Sequence, residues 1–468
     1  MVPGKRIGKR RTGMEFVELD RLLKEAKKLY FIGIGGVSMS SLAAIAALRG
    51  YAVRGSDRTE SPVTGELTRK GITVFYGHEA KNVEGSDAVV MTAAIPQTNP
   101  ERIRAAELGI PLLTRAEFLG WLMTGYTRRV GVAGTHGKST TTSMLAEIYF
   151  AAGADPTVVS GAALNDMGGY YKIGGAEHFL FEACEYTDSF LSFFPTTAVV
   201  TNVDFDHPDY FADLEAVKTS FTRYIGRAEL AVLNADDRNS VDCRNRSTTP
   251  SVTYGIENEA DYRAENVSYE NGCAVFTLTK GGKRLTEVAL RVPGTHNVYD
   301  ALAAAAAAYE NGIPAEAIRA GLARFTGASR RFERKGTLNG AAVYDDYAHH
   351  PGEIRATLAT AKRMGKRVVC VFQPHTFSRT AKLLDGFRTA FTDADEVIFA
   401  DIYAARETNI YGVSAKGLAE MTTNGKYLGD LAAIASYLKA TLTGNDLLIV
   451  MGAGDIIGLD RLLLPAEC

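Results

Sequence analysis

An α/β protein of three domains is the fold predicted here, on three observations. The 468 residues exceed what a single hydrophobic core holds. Short apolar runs alternate with helical patterns along most of the chain, as in parallel sheets covered by helices. Two of those runs end in glycine-rich turns that open a helix, one at Gly33 and one at Gly134. The predicted domains are an N-terminal Rossmann-like sheet (28–126), a central mixed sheet of the P-loop type (127–326) and a C-terminal doubly wound, Rossmann-like sheet (327–468). Residues 1–27 form an N-terminal extension and a first helix.

Met1 to Gly13 are basic and glycine-containing and lack the apolar core of a secretory signal. They read as a flexible tail, with Met14 a candidate start. From Lys28 an apolar strand runs into Gly33-Ile-Gly-Gly-Val-Ser38 and a helix. Gly33 and Gly35 match a dinucleotide-binding turn, but Ser38 stands where its third glycine would be, so nicotinamide or flavin binding is weakly supported. A second strand, Tyr51 to Arg54, is expected to end at Gly55-Ser56-Asp57, where an acidic residue can hold a ribose hydroxyl. Strands at Ile72 to Phe75 and Ala88 to Met91 complete a small parallel sheet, and Thr92 to Pro100 form a loop at its ligand-binding edge.

The central domain starts with a buried strand, Val130 to Ala133, and then Gly134-Thr-His-Gly-Lys-Ser139. Gly134 and Gly137 allow backbone conformations and close approach that a branched residue blocks, with Thr135 and His136 filling the turn. Lys138 suits β- and γ-phosphates, Ser139 suits Mg²⁺, and the following helix, from Thr140 on, aims free N–H groups at an anion. The implied ligand is a nucleoside triphosphate, although Val132 replaces the first glycine of the longer P-loop pattern. Two later strands release acidic residues at the same sheet edge. One leaves Glu182 and Glu185; the other leaves Asp204, Asp206, His207 and Asp209. Hard oxygen ligands with one imidazole suit Mg²⁺ or Mn²⁺. Leu230 to Asn234 is a further strand, and Val252 to Leu290 reads as antiparallel. Gly294 to Asn297 is expected to be a loop before an alanine-rich helix, with Asn297 either reading a base edge or capping that helix.

After Gly327, Ser329-Arg-Arg-Phe-Glu-Arg334 places arginines at a hinge. A strand from Val343 then ends among Asp345, Asp346, His349 and His350; two adjacent histidines do not easily face one zinc ion. Strands Arg367 to Phe372, Val397 to Ala400 and Asp446 to Met451 each lead into a polar loop, the pattern of a second doubly wound sheet.

Composition narrows the function classes. The chain is 46% hydrophobic and 23% charged with a net charge of −2, which argues against a general nucleic-acid binder. Five cysteines without a Cys-x-x-Cys pair point to no disulfide framework and to a cytoplasmic setting. No apolar stretch has the length of about 18 to 20 residues that spans a bilayer, so membrane insertion is not expected.

The ordered set Gly134-Thr-His-Gly-Lys-Ser-Thr-Thr141, Glu182-Ala-Cys-Glu185, Thr201 to Tyr210, Gly294-Thr-His-Asn297, Arg330-Arg-Phe-Glu333, Asp345 to Pro351 and Phe372 to Thr380 resembles the Mur ligases of peptidoglycan synthesis. The resemblance extends from about Tyr30 to the end. It implies ATP-dependent joining of L-alanine to the lactyl carboxylate of UDP-N-acetylmuramate through an acyl phosphate. It further implies that Lys138 and the 134–140 loop hold the phosphates, that Ser139 and Glu185 bind one Mg²⁺, and that His207 binds a second. His296 and Asn297 would face the adenine, Arg331 the phosphates and Asp346 the ribose. Gly35, Gly36, Val37, Ser38 and Asp57 would line the uridine diphosphate pocket, while His349, His375 and Arg379 place the alanine, with His349 or His207 as base. A monomer or weak homodimer is the expected state.

Overall fold

Strands and helices alternate from Phe16–Glu25, the first helix, to the helix Gly458–Leu463. The computed structural model describes residues 16–92, 95–164, 169–270 and 272–464. The expected tail, Met14 and part of the Thr92–Pro100 loop lie outside them. Two compact units emerge, divided between Gly125 and Tyr126.

In the first unit, β1 (Lys28–Ile32), β2 (Ala52–Asp57), β3 (Thr73–Tyr76), β4 (Ala88–Met91) and β5 (Leu112–Thr114) form a sheet in the order β3-β2-β1-β4-β5. Every pair is parallel. Strand β2 begins at Ala52 and runs on through Gly55-Ser56-Asp57, past Arg54, where the sequence places its end. Backbone pairing on both sides, to β1 and β3, outweighs the weak strand preference of those residues. Strand β5 was not anticipated, because three residues carry too little alternation to read.

The second unit holds two sheets. In the larger, β6 (Arg128–Ala133), β7 (Thr157–Leu164), β8 (Gly169–Lys172), β9 (His178–Glu182), β10 (Thr197–Val200), β11 (Leu230–Asn234), β12 (Ser251–Gly255), β13 (Tyr262–Glu270), β14 (Cys273–Lys280) and β15 (Lys283–Pro293) are ordered β15-β14-β13-β12-β11-β10-β6-β9-β7-β8. Strand β6 lies between β10 and β9, parallel to both, so its C-terminal turn opens at the middle of the sheet edge. Strands β13 to β15 are antiparallel as read, but β12 pairs parallel with both β11 and β13. Polar–apolar alternation reports a half-buried face and is silent on direction. The alanine-rich helix, Thr295–Glu310, is buried along Ala301 to Ala308 in the central core, where small side chains allow close packing. Thr295, His296 and Asn297 form its first turn and are not a loop; Gly294, at φ 104°, precedes them.

The smaller sheet is β16 (Glu333–Leu338), β17 (Ala341–Asp346), β18 (Arg367–Phe372), β19 (Glu396–Ala400), β20 (Gly425–Gly429) and β21 (Asp446–Met451), ordered β16-β17-β21-β18-β19-β20. Its parallel body matches the doubly wound expectation, with β16 added as an antiparallel edge. The overlooked signal was Asn339-Gly340, a two-residue turn with both residues at positive φ, as a tight hairpin demands.

Candidate functional site

Strand β6 and the helix Lys138–Ala151 hold the turn between them. Gly134 and Gly137 adopt φ of 144° and 80°, and a Cβ on Gly137 would come 2.4 Å from Asp300 Oδ1, so a larger residue fits at neither conformation nor space. The loop is braced from the neighbouring strand end. Asn202 accepts from the His136 N–H at 2.9 Å, Thr201 donates to the His136 carbonyl at 2.5 Å, and the Thr135 hydroxyl exchanges hydrogen bonds with the Asp204 backbone.

On one side of this loop lies a cavity of about 660 Å³, lined among others by His136, Gly137, Thr140, His296, Asn297, Asp300, Arg331 and Asp346. The sequence-predicted nucleoside residues therefore converge, although Arg331 and Asp346 come from the smaller sheet and the others from the larger. Asn297 donates its amide to the Pro293 carbonyl at 2.7 Å, which orients it in the first helical turn and leaves its carbonyl oxygen outside that bond. Burial, then the Arg331 and Arg363 charges, push His296 down to about 4. Burial pushes Asp346 up to about 6, although Arg331 and the amides of Ala348 and Phe332 oppose it. It pushes Asp300 up to about 7. Asp300 and Glu353, both on the cavity wall, were not singled out from sequence. Asp300 is hidden three residues after Asn297 at the start of an alanine run, and Glu353 follows the histidine pair as an ordinary first-turn acid.

Next along the loop lies a charged cluster. Lys138 reaches the Gly134 carbonyl at 2.5 Å and the Glu185 carboxylate at 3.1 Å. Burial works against each charge of this pair, yet each holds the other ionised: Lys138 is raised and Glu185 lowered. His207 Nε2 lies 3.5 Å from Glu185, its ring packed on Tyr186 and its backbone at φ 52°, a conformation non-glycine residues avoid. Ser139 donates to Glu182 at 2.7 Å, so the hydroxyl meets Glu182, the other acid released by that strand, and is not joined directly to Glu185. Two carboxylates, one hydroxyl and one imidazole form a donor set that fits Mg²⁺ or Mn²⁺.

The cluster continues into the smaller sheet's loops. Arg379, 7% exposed, donates to Asp206 at 2.9 Å and to His375 at 3.1 Å. Arg379, then His207, hold Asp206 far below the usual carboxylate range against the burial penalty. Burial, then Arg379, push His375 down to about 4; burial pushes His349, whose ring centroid is 5.8 Å from that of His375, to about 4 as well. With Nδ1 2.9 Å from the Tyr347 carbonyl, neutral His349 donates there and keeps its lone pair on Nε2.

In the first unit, Gly33 turns at φ 78° and the helix Val37–Leu48 begins after Gly36. The Gly35 N–H donates to Asp57 at 2.8 Å, and Arg115 donates to Ser38 at 2.9 Å. Gly35, Gly36, Val37, Ser38 and Asp57 are thus gathered at one strand-to-helix turn.

A triphosphate-type loop flanked by acids, and three α/β sheets in this order, define a nucleotide-dependent ligase, and three family descriptions agree. Residues 28–127 match "Mur ligase family, catalytic domain", 132–308 "Mur ligase middle domain" and 330–454 "Mur ligase, glutamate ligase domain". The chain belongs to the Mur ligase family and is an ATP-dependent, amide-bond-forming ligase. Among its relatives, UDP-N-acetylmuramate–L-alanine ligase of Clostridium novyi is 43% identical over 94% of this chain and 98% of its own length. That of Acetivibrio thermocellus is 45% identical, over 94% and 96%. The crystal structure of UDP-N-acetylmuramate-alanine ligase from Thermotoga maritima superposes with a TM-score of 0.78 at 29% identity, covering 93% of this chain and 97% of that one. A murein peptide ligase from Psychrobacter arcticus gives 0.69 at 26% identity, over 93% and 98%. Among the described residues no helix is long and apolar enough to cross a membrane.

Proposed function

We propose that this chain joins L-alanine to the lactyl carboxylate of UDP-N-acetylmuramate, in peptidoglycan precursor synthesis in the cytoplasm. The observation that carries this reading is the assembly of His296, Asn297, Arg331 and Asp346 around one cavity on the phosphate loop, with Lys138, Glu185, His207 and, through Asp206, Arg379 clustered beside it. We assign 28–126 to the nucleotide sugar, 127–326 to ATP and 327–468 to the amino acid.

In this mechanism the carboxylate oxygen attacks the γ-phosphorus. An O–P bond forms, the bond to the β-phosphate oxygen breaks, and ADP leaves with the electron pair. Lys138, Arg331 and the loop N–H groups offset the charge that gathers on the transferring group. Ser139, Glu185 and His207 would hold divalent cations, which when bound neutralise phosphate charge and bring the two anions together. The L-alanine amine then attacks the acyl carbon, a C–N bond forms, the acyl C–O bond breaks so that phosphate leaves with the electron pair, and the amine's proton passes to a base, His349 or His207. Arg379 faces the amino acid's carboxylate, and neutral His349 accepts a hydrogen bond from the amine at Nε2. Contacts between the two sheets of the second unit, such as Arg379 to Asp206 and Lys382 to the Pro208 carbonyl at 2.5 Å, close the site around the acyl phosphate and keep water from it.

The test is ADP release from ATP and Mg²⁺ with UDP-N-acetylmuramate, supplying L-alanine, the tripeptide or no amine. Release that needs L-alanine is expected. Release only with tripeptide would move the chain to the recycling reaction.

A further inference from the structure

Glu353 has no part in the steps above, yet its two carboxylate oxygens face two different parts of the site. We propose that Glu353 is a positioning residue that couples the phosphate loop to the amine side of the site, through His136 on one oxygen and His349 on the other.

His136 occupies the middle of the phosphate loop, and its ring meets the first turn of the helix Pro351–Lys362. Its Nδ1 lies 3.2 Å from Glu353 Oε1, and its ring packs on His350 with centroids 4.6 Å apart. The pair is within ion-pair distance but off the line of the ring N–H, so neither buried ring nitrogen has an aligned hydrogen-bond partner among the described residues. Gly352 makes this approach possible, because a Cβ there would come 3.3 Å from His136 Nε2. The other oxygen, Oε2, accepts from the backbone N–H of His349 at 3.0 Å and of His350 at 3.2 Å, and lies 3.5 Å from His349 Nδ1. His350 in turn bonds the Phe205 carbonyl at 3.1 Å, in the loop that carries His207.

A single buried carboxylate therefore holds the loop that receives the phosphates and the turn that carries His349. A carboxylate this close to a polyanion site is tolerated only while paired, and His136 is its partner on that side. A shift of the loop when phosphates bind moves His136, and through Glu353 it moves the first turn of the helix and the His349 ring. Among the described residues His136 meets this turn through its ring packing on His350 and through Glu353, and Glu353 is the polar link of the two.

This inference rests on the ligase reading and on His349 serving the amine. It is tested by a double-mutant cycle on the full-length protein, with KM for L-alanine read at saturating ATP and UDP-N-acetylmuramate. His136→Ala is expected to raise that KM about tenfold although it lies in the phosphate loop, and Glu353→Gln to do the same while its amide oxygen still caps the helix. The double variant is expected to stay near tenfold, because both changes cut one link. A double variant near a hundredfold, or His136→Ala altering only the KM for ATP, overturns the coupling. If Glu353→Gln does not fold, His136→Ala alone decides by the same readout. Wild-type protein without L-alanine-dependent ADP release would instead refute the ligase reading.

Discussion

Two glycine turns in this molecule share a plan and differ in chemistry. At each, a parallel strand ends in glycines, a helix follows at once, and a carboxyl group lies against one glycine. A Cβ on Gly35 would stand 2.8 Å from Asp57 Oδ2, and one on Gly137 would stand 2.4 Å from Asp300 Oδ1. In the first turn the carboxylate is engaged by backbone amides, those of Gly35 and Arg58, and no lysine follows the glycines. In the second the carboxyl is buried, bonded to the Thr141 hydroxyl at 3.0 Å and pushed toward neutrality, while Lys138 supplies a cation. Both turns offer a helix N-terminus and a close backbone approach. The surrounding charges decide the ligand: an acceptor carboxylate suits the hydroxyls of a ribose, whereas a lysine beside a near-neutral carboxyl suits a triphosphate.

The largest effect is expected at Lys138. Lys138→Ala should lower kcat for ADP release by about 10³-fold in a protein that still folds, since the charge it opposes grows in the transition state. A loss of less than tenfold would mean that the second turn is not the phosphate cradle. Asp57→Ala should behave in the opposite sense, raising KM for UDP-N-acetylmuramate about 30-fold and leaving kcat within about threefold, because the contact is made equally in the ground and transition states. Steady-state kinetics with varied nucleotide sugar would check this, and a kcat effect instead would erase the distinction between the turns.

Asp300→Asn sharpens the comparison through pH. Burial raises the folded-state carboxyl from 3.8 to about 7. The stability this group lends is fully present below its unfolded pKa and is lost as pH rises through about 7, where the ionised form is buried. Asparagine undergoes no such loss. The variant should therefore be more stable at pH 8, by about 1 to 3 kcal/mol, and unfold at a higher temperature there, with the gain shrinking toward pH 4. Thermal melts across that range measure it; a pH-independent difference would show that Asp300 is ionised throughout. The smallest effect belongs to Ser38→Ala, which removes one hydrogen bond with Arg115 and should raise KM for the nucleotide sugar about threefold.

Much of the fold was legible because strand and helix periodicities are local. Strands Ala88–Met91, Leu230–Asn234, Arg367–Phe372 and Asp446–Met451 lie at the bounds read from sequence. Where the reading failed, the signal was short, as in Leu112–Thr114, or depended on a partner strand, as in the extension of β2 through Asp57 and the parallel pairing of β12. In the site, the turn residues were readable from their own spacing, and the nucleoside set from several motifs in order.

What the chain's sequence determined by itself is what neighbouring residues decide together: the Gly134-to-Ser139 turn, the release of acids at strand ends, and the order of three α/β sheets. Tertiary structure alone decided which acid meets which partner. Ser139 meets Glu182 and not Glu185; Arg379 meets Asp206, 173 positions away; His136 meets Glu353; and Asp300 lies beneath Gly137. Ion pairs and hydrogen bonds act over a few ångströms, and burial sets how strongly they shift a proton. Those distances exist only once the strands have chosen their neighbours, so the charges of the site belong to the packed sheets rather than to any stretch of chain.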